Sequence, residues 1–174
     1  MAGATQGREV ILPRRFYARP AAEVARDLLG KMLRHGDIAG RIIETEAYPG
    51  GDDLASHSSV GITDRTRVIF GPPGHAYVYL VYGMHHCFNV VTAAAGTAGC
   101  VLIRALDLEG ASGPGRLTRM LGITRAHRGA DLTRGPLTVR DGPTVADFRV
   151  TPRIGITKCA DRLLRFVAET TRST

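Results

Sequence analysis

Residues 41–48 read R-I-I-E-T-E-A-Y, a run that follows a Gly36-Asp37 turn and alternates well enough to be a β-strand. Side chains on a strand switch faces at each residue, which predicts Ile42, Glu44, Glu46 and Tyr48 on one side. Two carboxylates and a tyrosine beside an isoleucine make a poor core, because acids are rarely buried without a partner. Such a face borders either a cleft with its own chemistry or solvent, where the acids would guard a strand edge against pairing.

Upstream, Pro20 suits the start of a helix, and A-A-E-V-A-R-D-L-L sets Val24 and Leu28 four apart before Gly30 stops it. Residues 31–33 and 38–48 then form a hairpin. Residues 1–15 read as a basic, loosely ordered arm, which leaves 16–174 as one domain. Downstream, 49–75 is polar, rich in glycine and without periodicity. A loop that long inside a compact domain is functional or disordered. It carries His57 and the pair Arg65 and Arg67. The aromatic strand 76–82, A-Y-V-Y-L-V-Y, turns at Gly83-Met84 and returns as 86–92. Strand 100–106, C-V-L-I-R-A-L, is apolar apart from Arg104, which needs a partner or a cleft. Pro114 opens a helix through Leu121, and short strands at 137–140, 148–156 and 164–167 complete the chain. The pattern predicts an α+β fold: one curved, mostly antiparallel sheet with short surrounding helices and a protruding hairpin.

At 174 residues the chain suits a single domain, and 44% hydrophobic with 22% charged residues describes an ordinary globule. The net charge of +7 does not. Arginine dominates the excess and is the side chain suited to forked phosphate contacts, so a polyanionic partner is expected. Three widely spaced cysteines make neither a disulfide framework nor a C-x-x-C metal site. With no apolar run of bilayer length and no apolar leader at the N-terminus, the expected location is the cytoplasm, away from any membrane.

The segments R-I-I-E-T-E-A-Y, A-S-H-S, F-G-P-P-G-H-A-Y-V-Y-L-V-Y-G-M-H-H-C-F-N-V and C-V-L-I-R-A-L occur here in one order. With L-L-G-K near Leu28 and S-G-P-G-R-L-T-R-M-L-G-I from Ser112, the chain resembles the alkyladenine (3-methyladenine) DNA glycosylases over residues 16–156. The resemblance implies a monofunctional enzyme of base excision repair, acting without a cofactor or metal, as a monomer, on double-stranded DNA containing a damaged purine. A base inside a duplex is out of reach, so such an enzyme must flip the nucleotide out and fill the gap. The resemblance makes Tyr82 that wedge, with Met84 beside it. It makes Tyr48, His57 and Tyr79 the stacking walls for the base, and Asn89 the residue that crowds a guanine 2-amino group. Cleavage of the N-glycosidic bond needs a carboxylate to deprotonate water beside a cationic sugar. Spacing leaves Glu44 and Glu46 equal; the resemblance selects Glu46 as general base, with Arg104 placing the water and the lesion's phosphate. Arg65 and Arg67 become phosphate contacts.

Departures from the family pattern bear on particular contacts. His85-His86 replaces an aromatic pair after G-M, the segment after Arg104 is short, and the tail lacks the usual tryptophan before R-F. A more open pocket and a wider lesion range would follow. Two rival readings use the same residues. His57, His75, His85, His86 and Cys87 with the two glutamates could suggest a metal-dependent hydrolase, although no H-x-x-x-H spacing is present. The charge and the aromatic hairpin alone would suit a non-catalytic DNA binder, against which Glu46 argues, since a carboxylate facing a polyanion weakens binding.

Overall fold

The computed structural model describes residues 10–169. Within them run α1 (Arg14–Tyr17), α2 (Ala21–Asp27), β1 (Met32–His35), β2 (Ile38–Tyr48), β3 (Ala76–Val81), β4 (His85–Val91), β5 (Cys100–Asp107), α3 (Pro114–Leu121), β6 (Leu137–Arg140), β7 (Phe148–Pro152) and β8 (Leu163–Ala168). Every ladder is antiparallel, in the order β3-β4-β5-β2-β1-β6, with β8 on β2 and β7 on β8. The fold is α+β, as the pattern predicts. β2 is its centre: β5 runs along one edge, while β1 and β8 share the other.

The simple alternation expected through β2 is broken. Register slips between Ile42 and Glu44, and between Glu44 and Thr45, leave Ile43 on β2 and Arg104 on β5 without opposite numbers. Ile42 therefore does not share a face with the acids, contrary to the period-two expectation. It is buried in the core with Ala47, and Thr45 on that side donates to the Ala25 carbonyl at 2.8 Å. Glu44, Glu46 and Tyr48 keep the opposite face.

Helix α2 lays Val24 and Ala25, and its C-cap Leu28, on the core side of the sheet. Gly30 then turns the chain at φ 87, where a Cβ would strike the Pro143 carbonyl. Strand β7 stops at Pro152, short of the expected end at 156, because proline has no N–H to continue the ladder. The next residues turn inward. Residues 1–9 of the expected arm lie outside the described residues. Beyond them Ile11 bridges Arg140, Leu12 enters the core, and Arg14 in α1 donates to Asp131 at 2.8 Å. The connection 49–75 is pinned by its own polar side chains. Ser56 caps a short helical turn at His57–Val60, and Thr63 and Thr66 accept each other's backbone N–H before a second turn at Arg67–Phe70. No helix among the described residues is long and apolar enough to cross a membrane.

Candidate active site

The acid-bearing face of β2 backs a cavity of about 270 Å³, lined by Tyr48, His57, Tyr79, Asn89, Arg104 and Ile154 among others. Glu46 lies behind its wall, fully buried. Its Oε2 accepts the Tyr48 hydroxyl at 2.8 Å, and its Oε1 accepts the Ile154 N–H at 2.8 Å. Arg104 Nη1 stands 3.5 Å from the same Oε1. Glu44 is placed differently. Its Oε1 takes two guanidiniums, Arg104 Nε at 2.9 Å and Arg165 Nε at 2.7 Å. The structure thus separates two acids that spacing leaves equal: Glu44 serves to hold arginines, whereas every partner of Glu46 is itself a cavity wall. Arg104, alone in an apolar strand, bridges both.

The opposite wall is aromatic. His57 Nδ1 is 2.8 Å from the Tyr77 hydroxyl, and the His57 ring lies edge-on to Tyr79 with centroids 4.5 Å apart. Burial, aided by the charge of Arg65, pushes the His57 pKa below that of an ordinary histidine and so favours a neutral ring. Burial likewise drives the Tyr48 and Tyr79 hydroxyls upward, keeping both protonated. Asn89 is buried and donates to the Tyr77 carbonyl at 3.2 Å, which fixes its amide at the floor.

Strands β3 and β4 project away from this floor and end in the turn at Tyr82-Gly83. Tyr82 is 93% exposed and Met84 70%. Both central residues have positive φ, 51° at Tyr82 and 65° at Gly83, and Met84 N–H closes the turn on the Val81 carbonyl at 3.0 Å. Positive φ at both positions matches the twist of a tight hairpin, but a tyrosine there is strained. Arg65 and Arg67 part company. Arg65 sets its guanidinium over the Tyr79 ring, 5.3 Å from the centroid, whereas Arg67 is exposed and pairs with Asp64 at 3.4 Å. Among the described residues no three His, Cys, Asp or Glu side chains stand together as a metal site requires.

Several parts of the site escape a linear reading. Arg153 and Asp53 form a fully buried bidentate pair at 2.7 and 2.8 Å, and Arg153 lies 4.6 Å above the Tyr48 ring. This pair ties the loop that carries His57 to the segment whose Ile154 N–H reaches Glu46. Asp53 stands 100 residues from its partner, and such a separation leaves no periodic trace. Tyr77 aligns His57, and Cys87 lies across from Tyr79 on the neighbouring strand; alternation from Tyr79 and Asn89 could have found both.

A family model described as Methylpurine-DNA glycosylase (MPG) matches residues 15–172. Among curated relatives, a protein of Methanocella arvoryzae is 49% identical over 178 residues, covering 89% of this chain and 89% of its own length. One from Myxococcus xanthus is 52% identical over 158 residues, covering 83% and 81%, and one from a Wolbachia of Brugia malayi is 48% identical over 162, covering 90% and 96%. All three are named, provisionally, as 3-methyladenine DNA glycosylases. A match across nearly the whole chain and relatives at about half identity agree with the acid, the aromatic cavity and the hairpin: the chain belongs to the methylpurine-DNA glycosylase family.

Proposed function

We propose that the protein is a monofunctional DNA glycosylase of base excision repair. It acts as a monomer in the cytoplasm, flips alkylated or deaminated purines (3-methyladenine, 7-methylguanine, hypoxanthine and ethenoadenine) out of the duplex, and hydrolyses their N-glycosidic bonds. The observation that carries this reading is Glu46, a buried carboxylate whose hydrogen-bond partners are the walls of an aromatic cavity. Tyr82 enters the stack from the hairpin tip, with Met84 beside it, and holds the vacancy. The purine lies between the rings of Tyr48, His57 and Tyr79, and Asn89 meets its edge. An ionised carboxylate offers about four lone-pair positions, so Glu46 can accept a water from the cavity side while keeping Tyr48 and Ile154. It takes the water's proton and stabilises the sugar cation, and Arg104 orients the water. Neither of the chain's two lysines, Lys31 and Lys158, lines the cavity, which supports hydrolysis without an amine nucleophile and an uncut abasic strand as product.

The test is incubation with duplexes each bearing one defined lesion, followed by identification of the freed base, with EDTA present throughout. Wild type should release it and leave the strand whole until alkali is added. Glu46→Gln should slow release by about 10²–10⁴-fold while binding lesion DNA at least as tightly. Unchanged release by that variant would end the proposal for Glu46 and turn attention to Glu44.

A further inference from the structure

Two of the three tyrosines that line the cavity already carry a cation. Arg153 lies over Tyr48 at 4.6 Å and Arg65 over Tyr79 at 5.3 Å, each within the range at which a guanidinium engages a ring's negative face. The other arginines of the site are balanced: Arg153 by Asp53, and Arg104 and Arg165 by Glu44, with Glu46 near Arg104. Among these four arginines, Arg65 alone has no carboxylate partner, since the adjacent Asp64 pairs with Arg67. Its charge is felt inside the cavity, where it acts with burial to keep the His57 ring neutral.

We propose that Arg65 is a specificity-determining residue: its unbalanced guanidinium on the Tyr79 ring biases the pocket toward uncharged purine lesions and against cationic ones. The inference rests on the glycosylase reading above. A cationic purine stacked on Tyr79 competes with Arg65 for the same ring electrons and feels its charge across the ring, whereas a neutral purine stacks without that cost. Arg65 is exposed in the free protein.

The measurement is single-turnover release of 7-methylguanine, a fixed cation in DNA, and of hypoxanthine, which is neutral, by wild type, Arg65→Gln and Arg65→Lys. Comparing each lesion with itself across variants cancels its other contacts. Arg65→Gln should raise the 7-methylguanine rate relative to hypoxanthine by about 3- to 30-fold, the span of a ring–cation interaction, while Arg65→Lys keeps the wild-type ratio. If both rates fall together and the salt dependence of DNA binding shallows, Arg65 is an ordinary phosphate contact and the inference is wrong. If wild type releases both bases and the ratio is unmoved, the inference alone fails. If wild type releases neither, the glycosylase reading falls and takes this one with it.

Discussion

Removing either member of the Asp53–Arg153 pair leaves the other charge buried and alone. Both side chains are fully enclosed, and Arg153 Nε has no partner even now. Arg153→Met should therefore lower stability by about 3–5 kcal/mol in urea unfolding. It should also slow base release in the protein that remains folded, because Ile154 N–H would no longer be held on Glu46. A stability loss with full activity would show that the pair holds the fold but not the site. Neither residue can be picked out from the chain alone. Asp53 sits in a stretch without periodicity, and nothing around Arg153 signals that its partner lies a hundred positions away.

At the scale of elements, the β3–β4 hairpin joins a strained backbone to an exposed ring. Tyr82 at φ 51 occupies a left-handed conformation that glycine adopts freely. Tyr82→Gly should raise stability by about 0.5–1 kcal/mol in thermal or urea unfolding, since the ring packs on nothing in the free protein. The same variant should bind lesion duplex more weakly; stronger binding would refute the wedge. The hairpin was legible in the sequence because β-branched and aromatic residues flank a Gly-containing turn. β2 was legible only in part. Its acids could be placed on a strand, but the bulges at Ile43 and Arg104 reverse the phase of Ile42, and a period-two reading has no means of sensing an unmatched residue on a strand sixty positions later.

Across the whole molecule, charge and closure make separate predictions. A net charge of +7 implies that affinity for undamaged duplex falls linearly with salt on logarithmic axes. The loss should reach about 10³-fold or more between roughly 50 and 200 mM if six or more phosphates are met. A flat response would remove DNA as the polyanion. Closure of the fold depends in part on Arg14 reaching Asp131 across 117 positions. Burial pushes the Asp131 carboxyl up, but hydrogen bonds from Thr133 and Arg14 outweigh it and hold the pKa at about 2, below its ordinary 3.8. A depressed acid stabilises above its unfolded pKa and loses that contribution as pH falls through the folded one. Asp131→Asn should cost about 1–2 kcal/mol at neutral pH, with the gap from wild type closing as the pH drops from about 4 to 2. A gap that persists below pH 2 would place the effect in packing instead. The fold class was readable from turns and alternation, because those signals are local. The edge shared by β1 and β8 was not, since strand order depends on which distant surfaces match.

The chain has five tyrosines and no tryptophan, and only Tyr82 among them stands in solvent. Its ultraviolet emission therefore contains one component, from Tyr82, fully open to a collisional quencher such as iodide, beside the half-buried cavity rings of Tyr48 and Tyr79. The share of quenching that Tyr82→Gly lacks, lost from wild type on titration with duplex, would report that ring leaving water with no dye attached.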